Sequence, residues 1–264
     1  MNETTKHAPG TFCWPELSSS DPDAAKKFYG SLFGWTAKDE QAGPDMVYTM
    51  FQLEGKEVGA LHAMMPEQKA MGIPPHWLSY ISTANVDESV AKAKPLGGNV
   101  VAGPFDVMDA GRMAVVVDPV GAAFGLWQAN KHIGARLVDQ SGTLVWTELM
   151  SSNTDVTRDF YSKLFDWGLE LHNMGPMTYT VFKRGETPAG GMMQITPDMG
   201  KVPPHWLPYL GSNDVDATAT NAAKLGGSAI VPPSDIPTVG RFSVLHDPQG
   251  AVFGVIKFLP RQAQ

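Results

Sequence analysis

The stretch from Thr11 to Trp35, TFCWPELSSSDPDAAKKFYGSLFGW, is written twice. Thr143 to Trp167 reads TLVWTELMSSNTDVTRDFYSKLFDW, aligned without a gap at a displacement of 132 residues (143 − 11 and 167 − 35). Self-similarity over this length implies a duplicated fold, in which each copy is one supersecondary unit and every functional residue must be sought in both. Each copy predicts an apolar strand, a polar capping turn and an amphipathic helix. Asp21 suits the N-cap, with Pro22 at a position where a missing N–H does no harm. Ala25, Phe28, Tyr29, Leu32 and Phe33 then lay one apolar stripe along the helix, which Gly34 ends. In the second copy Asn153 replaces the cap, and Phe160, Tyr161, Leu164 and Phe165 keep the stripe.

The remainder of each copy follows the same plan. Met46 to Leu53 and Val58 to Met64 predict a hairpin, with Tyr48 and Phe51 returning as Tyr179 and Phe182. A polar connection from Pro66 to Ile73 leads to Pro74-Pro75-His76-Trp77-Leu78, repeated as Pro203-Pro204-His205-Trp206-Leu207. A strand over 77–83 and a second capped helix follow, with Val86, Val90, Ala93 and Leu96 inward. Pro95 should weaken the end of that helix, where the second copy has Lys224. Arg112 to Val117 and Ala123 to Gln128 flank Asp118-Pro119-Val120-Gly121, which suits a type I turn. This half repeats at a displacement of 129 (205 − 76 and 247 − 118), so only the middle connection has shortened. The expected organisation is a module over 1–130, a polar linker over 131–142 and a module over 143–264. Each module is α+β, with helices on the outer face of a curved sheet and two half-units enclosing a cup.

Composition narrows the partners. A formal charge of −7 argues against nucleic acid or an anionic membrane, which demand clustered Lys and Arg. A small organic ligand fits better. The single cysteine, Cys13, excludes an internal disulfide. No apolar run reaches the length of a membrane span, and the opening MNETTKHAPG lacks a signal-peptide core, so the expectation is a soluble, cytoplasmic monomer or homodimer.

The ordered set of motifs, a capped helix ending Phe-Tyr-x-x-Leu-Phe-x-Trp, a later helix ending Leu-Gly-Gly and a closing Asp-Pro-x-Gly hairpin, resembles the vicinal oxygen chelate superfamily. That superfamily includes glyoxalase I, bleomycin-resistance proteins and extradiol dioxygenases. The resemblance implies two tandem modules, each of two βαβββ units forming a cup-shaped, partly open barrel. In metal-dependent members it implies a His on the first strand, a His or Gln on the matching strand of the other half, and a Glu seven residues after the Asp of the closing turn. Those positions here are Trp14 or Trp146, Leu78 or Leu207, and Gly125 or Gly254. None of these side chains ligates a divalent cation, so no metal or other cofactor is expected. A divalent metal held by other residues is the alternative.

Other polar residues recur in both copies. Glu16 and Glu148 lie two residues beyond Trp14 and Trp146, so strand alternation puts each on its tryptophan's face as a candidate general base or ligand anchor. His76 and His205 offer imidazoles, and Arg112 and Arg241 offer bidentate guanidinium groups for an anionic substrate. Tyr48 with Tyr179, Tyr80 with Tyr209, and Trp14, Trp127 and Trp146 provide flat walls with polar tips. Three functions compete. The chain could be a metal-independent small-molecule binding protein, or a glyoxalase-like or dioxygenase-like enzyme using an atypical metal or Glu-based acid–base chemistry. It could also be an interaction protein whose cups are filled by tryptophan. The first is preferred, because the ligand positions are lost while aromatic and charged residues repeat.

Overall fold

A computed structural model describes residues 3–43, 46–175 and 177–260. The first repeat runs through β1 (Phe12–Ser19), α1 (Pro22–Phe33), β2 (Thr36–Gly43), β3 (Met46–Leu53), β4 (Lys56–Ala63), α2 (Pro66–Ala70), β5 (His76–Ser82), α3 (Val86–Ala93), β6 (Asn99–Val107), β7 (Gly111–Val117) and β8 (Ala123–Ala129). These strands make one eight-stranded sheet in the order β2-β3-β4-β1-β5-β8-β7-β6. Its centre is the antiparallel pair β1–β5, flanked by the parallel pairs β1–β4 and β5–β8. Two βαβββ units therefore meet edge to edge.

The second repeat builds the same sheet from β9 (Leu144–Ser151), α4 (Thr154–Phe165), β10 (Gly168–Met174), β11 (Met177–Arg184), β12 (Thr187–Gln194), β13 (His205–Gly211), α5 (Val215–Lys224), β14 (Ser228–Ile236), β15 (Gly240–His246) and β16 (Val252–Phe258). The architecture is α+β, as the motifs predict.

Local signals act as expected at the helix ends. Asp21 accepts a hydrogen bond from the Ala24 amide, and Gly34 takes a left-handed φ of 73° at the C-terminus of α1. Helix α3 stops at Ala93 and tightens into a 3₁₀ turn over Lys94–Leu96 that contains Pro95, whereas α5 continues to Lys224. The polar connection after β4 is not irregular throughout, because Pro66–Ala70 form a short helix. Its Gln68 side chain accepts hydrogen bonds from the Met65 amide and the Ser18 hydroxyl. Strands β2 and β10 carry almost wholly exposed residues, so they lack the alternation that identifies a strand.

The helix-covered faces of the two sheets pack against each other. One core unites Phe28, Tyr29, Trp35 and Trp77 of the first module with Val215, Leu245, Phe253 and Val255 of the second. The other unites Val86, Val90, Phe124 and Leu126 with Phe160, Tyr161, Trp167 and Trp206. Each fully buried aromatic in these clusters contributes about 1.5–3 kcal/mol through transfer from water. The second Gly of each Leu-Gly-Gly motif serves this contact. A Cβ on Gly98 would lie 3.2 Å from the Phe160 ring, and one on Gly227 would lie 3.2 Å from the Phe28 ring.

Polar bonds cross the same boundary. Asp118 Oδ1 accepts from the amides of Val120, Gly121 and Ala122 in its turn, and Oδ2 accepts from Tyr161 Oη at 3.1 Å. Asp247 does likewise with its own turn and with Tyr29. Trp77 and Trp206 donate in turn to Tyr29 and Tyr161. The packing leaves the concave face of each sheet on the far side from its partner module.

The segment between the modules is less solvated than its composition suggests. Ala135 and Leu137 are buried, the Ala135 amide donates to the Cys13 carbonyl, and the Arg136 amide donates to the Glu57 carbonyl. Gly134 has φ of 100°, and a side chain there would meet the Cys13 carbonyl. The connection is a strap laid against the first sheet rather than a free linker. Among the described residues, no helix is long and apolar enough to cross a membrane.

Candidate functional site

Alternation along β1 sends Leu17 to the helix-covered core with Tyr29 and Trp77, and turns Trp14 and Glu16 to the concave face. Glu16 stands in register with Ala60 on β4 and Leu78 on β5. Its carboxylate is heavily solicited. Tyr48 Oη donates to Oε2 at 2.6 Å and Tyr80 Oη to Oε1 at 3.0 Å, while His62 Nε2 lies 3.6 Å from Oε1. Trp14 Nε1 donates to Tyr48 Oη at 3.0 Å, so indole, phenol and carboxylate form one chain of hydrogen bonds. Burial pushes the Glu16 carboxyl up, but His62 and the two tyrosines outweigh it and hold the group below the usual carboxylate range.

His62 is a candidate site residue that sequence reasoning missed. Its Nδ1 lies 2.8 Å from the Ala63 carbonyl oxygen, so both ring nitrogens face acceptors. Only the imidazolium donates at both positions. Burial works against that charge, yet the Glu16 carboxylate and the Ala63 carbonyl raise the His62 pKa. The residue breaks the repeat and therefore drops out of any search confined to positions present in both copies.

The second cup repeats the chain without the cation. Trp146 Nε1 donates to Tyr179 Oη at 3.0 Å, Tyr179 Oη to Glu148 Oε2 at 2.8 Å, and Tyr209 Oη to Oε1 at 3.1 Å. His62 pairs with Ser18 on the central strand, and the matching partner of Met150 is Met193. Glu148 is 8% exposed, and burial raises its pKa against the opposing pull of the two tyrosines. The walls also differ. Trp127 faces Met113 across β8 and β7, whereas Ile256 faces Phe242 across β16 and β15.

One end of the first cup is closed by the strap. The His132 ring meets Trp14 edge-on at 4.6 Å between centroids, and Trp127 Nε1 donates to the His132 carbonyl at 2.9 Å. Burial lowers the pKa of His132, whose Nε2 is enclosed without a hydrogen-bond partner.

The remaining candidates have other hydrogen-bond partners than the two glutamates. His76 and His205 open β5 and β13, where their Nδ1 atoms lie 2.9 and 2.8 Å from the carbonyl oxygens of Pro74 and Pro203. They close the Pro-Pro turn and stand two register positions from the glutamates. Arg112 and Arg241 fall on the wrong face for a cup. Their neighbours Met113 and Phe242 take the concave side, so each guanidinium reaches the helix layer instead. Arg112 binds Asp87 at the start of α3 through Nε and Nη2, and Asp106 through Nη1. Arg241 repeats this with Asp216 and Asp235. Their donors are engaged by the protein's own carboxylates, on the face away from the cups.

The donor set does not fit the divalent cation that metal-dependent relatives hold. Both Glu16 oxygens are already engaged, and a side chain at Gly125 or Gly254, where the superfamily's Glu stands, would overlap the ring of Tyr80 or Tyr209. No cluster of three His, Cys, Asp or Glu side chains with metal-binding geometry occurs among the described residues.

Comparison with known proteins places this geometry in context. Over 99% of its length the chain is 46% identical to the whole of "Putative glyoxylase CFP32" from Mycobacterium tuberculosis (strain CDC 1551 / Oshkosh). It is 35% identical, over 96% of its length and 95% of the relative's, to "Anthracycline biosynthesis protein DnrV" of Streptomyces peucetius. Among solved structures, the Mn(II)-bound glyoxalase from Novosphingobium aromaticivorans matches with a TM-score of 0.67 at 16% identity, covering 94% of this chain and 82% of that one. A catechol 2,3-dioxygenase matches with a TM-score of 0.62 at 12% identity, covering 98% and 91%. The family model that matches residues 12–126 and again 143–255 covers both sheets, and the chain belongs to the Glyoxalase/Bleomycin resistance protein/Dioxygenase superfamily.

Proposed function

We propose that this chain is a small-molecule binding protein of the glyoxalase/bleomycin-resistance type, holding organic ligands in its cups without a metal. The observation that supports this reading is the way each central carboxylate is engaged. Glu16 is occupied by Tyr48, Tyr80 and His62, and Glu148 by Tyr179 and Tyr209. The aromatic residues give apolar walls with a few convergent polar tips, the usual character of a site for a small organic ligand. Glu16 and Glu148 act here as fixed anchors rather than as proton acceptors. The test is elemental analysis of untagged protein with a thermal-shift screen of aromatic metabolites. Less than a tenth of an equivalent of transition metal, together with ligands that raise Tm by mass action, is the expected outcome. A stoichiometric tightly bound metal overturns the reading.

A second reading is favoured by one feature, the imidazolium–carboxylate pair in the first cup. His62 poised on Glu16 is suited to deliver a proton to a substrate oxygen, which would make the first module an enzyme. Turnover of an aldehyde–thiol adduct that survives chelation and disappears in His62→Asn would establish this reading over the first.

A further inference from the structure

The two cups form an internal control. They share a tryptophan, two tyrosines and a glutamate in the same hydrogen-bonded order, and they differ at the position where the first cup has an imidazole. In the first cup His62 fills that position, with Nε2 3.6 Å from Glu16 Oε1 and its pKa raised by that carboxylate. In the second, the thioether of half-buried Met193 stands there and offers no charge.

The surroundings of Glu148 supply no substitute. From β11 and β13 it receives the hydroxyls of Tyr179 and Tyr209, which are neutral. His205 stands in the register position beside Met150, but its Nδ1 is tied to Pro203, burial lowers its pKa toward the uncharged form, and among the described residues it makes no ion pair with Glu148. His172 on β10 lies in register with Tyr179, but its Nε2 is 3.0 Å from Glu170, and Lys183 on β11 is paired with Glu170 and Glu186 at the rim. Arg241 and its partners are on the opposite face. Among the described residues, no cation is paired with Glu148.

We infer that the second cup takes an organic ammonium, its charged nitrogen set against Glu148 where the first cup has the His62 imidazolium. This rests on the reading of the cups as small-molecule sites and adds the charge of the ligand. A buried acid without a counter-charge is held in an unfavourable state, and a ligand cation relieves it. The walls suit the same ligand. Trp146, Tyr209 and Phe242 line the second cup, and the faces of aromatic rings attract an ammonium group directly. In the first cup the place is taken, so the two modules of one chain select different ligands.

The experiment is isothermal titration calorimetry of the full chain with benzylammonium, and with benzyl alcohol as its neutral counterpart. The expected result is one benzylammonium per chain, bound at least ~10-fold more tightly than the alcohol because a desolvated charge pair forms. Glu148→Gln should erase that preference, and Met193→His should block the site by installing the first cup's cation. His62→Met should raise the stoichiometry from one to two. Should Glu148→Gln fail to fold, the Met193→His and His62→Met pair decides the matter alone. Equal binding of alcohol and ammonium overturns the charge assignment while leaving the cup a ligand site. Heat from neither probe, with no Tm response in the metabolite screen, overturns both this inference and the binding reading beneath it.

Discussion

Tyr29 Oη lies 3.1 Å from Asp247 Oδ2, joining the first helix of one module to the closing turn of the other across 218 residues of sequence. Tyr161 and Asp118 return the same bond in the opposite direction. All four groups are buried, and burial raises the pKa of both aspartates and both tyrosines despite the hydrogen bonds that bind the carboxylates. Tyr29→Phe removes the donor and leaves Asp247 Oδ2 enclosed. The expected loss is about 1–3 kcal/mol of unfolding free energy, read by urea denaturation. Tyr161→Phe should match it, since the two interfaces are built alike.

The two glutamates predict opposite pH behaviour. Glu16 has a lowered pKa when folded, so its contribution is present above the ordinary value of 4.5 and is lost as pH falls through the folded value. His62 has a raised pKa, so its contribution is present below 6.5 and is lost as pH rises through the folded value. The pair is intact throughout the window between those limits, and His62→Met should cost most stability there. Glu148 is raised, so its contribution is full below 4.5 and is lost as pH rises. The Tm of Glu148→Gln relative to the parent chain should therefore climb with pH from about 4.5 upward, and a flat difference would remove Glu148 from the account.

Gly125→Glu restores the superfamily's acidic ligand on paper and collides with the Tyr80 ring in the folded chain. Overpacking of this kind costs about 1–3 kcal/mol or more, visible as a lowered Tm. Adding Tyr80→Ala should recover part of the loss by vacating the space.

Arg112→Gln should leave ligand affinity in the first cup unchanged, since its guanidinium binds Asp87 and Asp106 in the helix layer. A small drop in Tm that weakens further at high salt is the expected signature of exposed ion pairs. A loss of ligand binding would return Arg112 to the site.

Much of this was legible in the chain itself. The stripe Phe28–Tyr29–Leu32–Phe33 and the 3₁₀ ending at Pro95 follow from local rules that the structure obeys. Strand alternation from Trp14 likewise predicts that Glu16 faces the cup. What lay hidden depended on partners remote in sequence. The Tyr29–Asp247 bond requires knowing that the modules meet through their helices, which neither repeat reveals alone. The side taken by Arg112 depends on the register of β7 rather than on its neighbouring glycine. His62 escaped because it is absent from the second copy, where Met193 stands. The strap over the first cup reads as a polar connection because backbone bonds such as Ala135 to Cys13 leave no trace in side-chain chemistry.

The crossed Tyr–Asp bonds have a consequence for how such a chain can change. Each module is the other's missing wall, so Phe28 and Phe160, Tyr29 and Tyr161, Trp77 and Trp206, and Asp118 and Asp247 answer to one another and have stayed the same in both copies. The cups are lined separately: His62 stands against Glu16 within the first module, and Met193 is in register with Met150 within the second. Duplication has thus coupled the exteriors of the two modules and uncoupled their interiors, leaving each cup at liberty to acquire its own chemistry inside a frame that neither half can abandon.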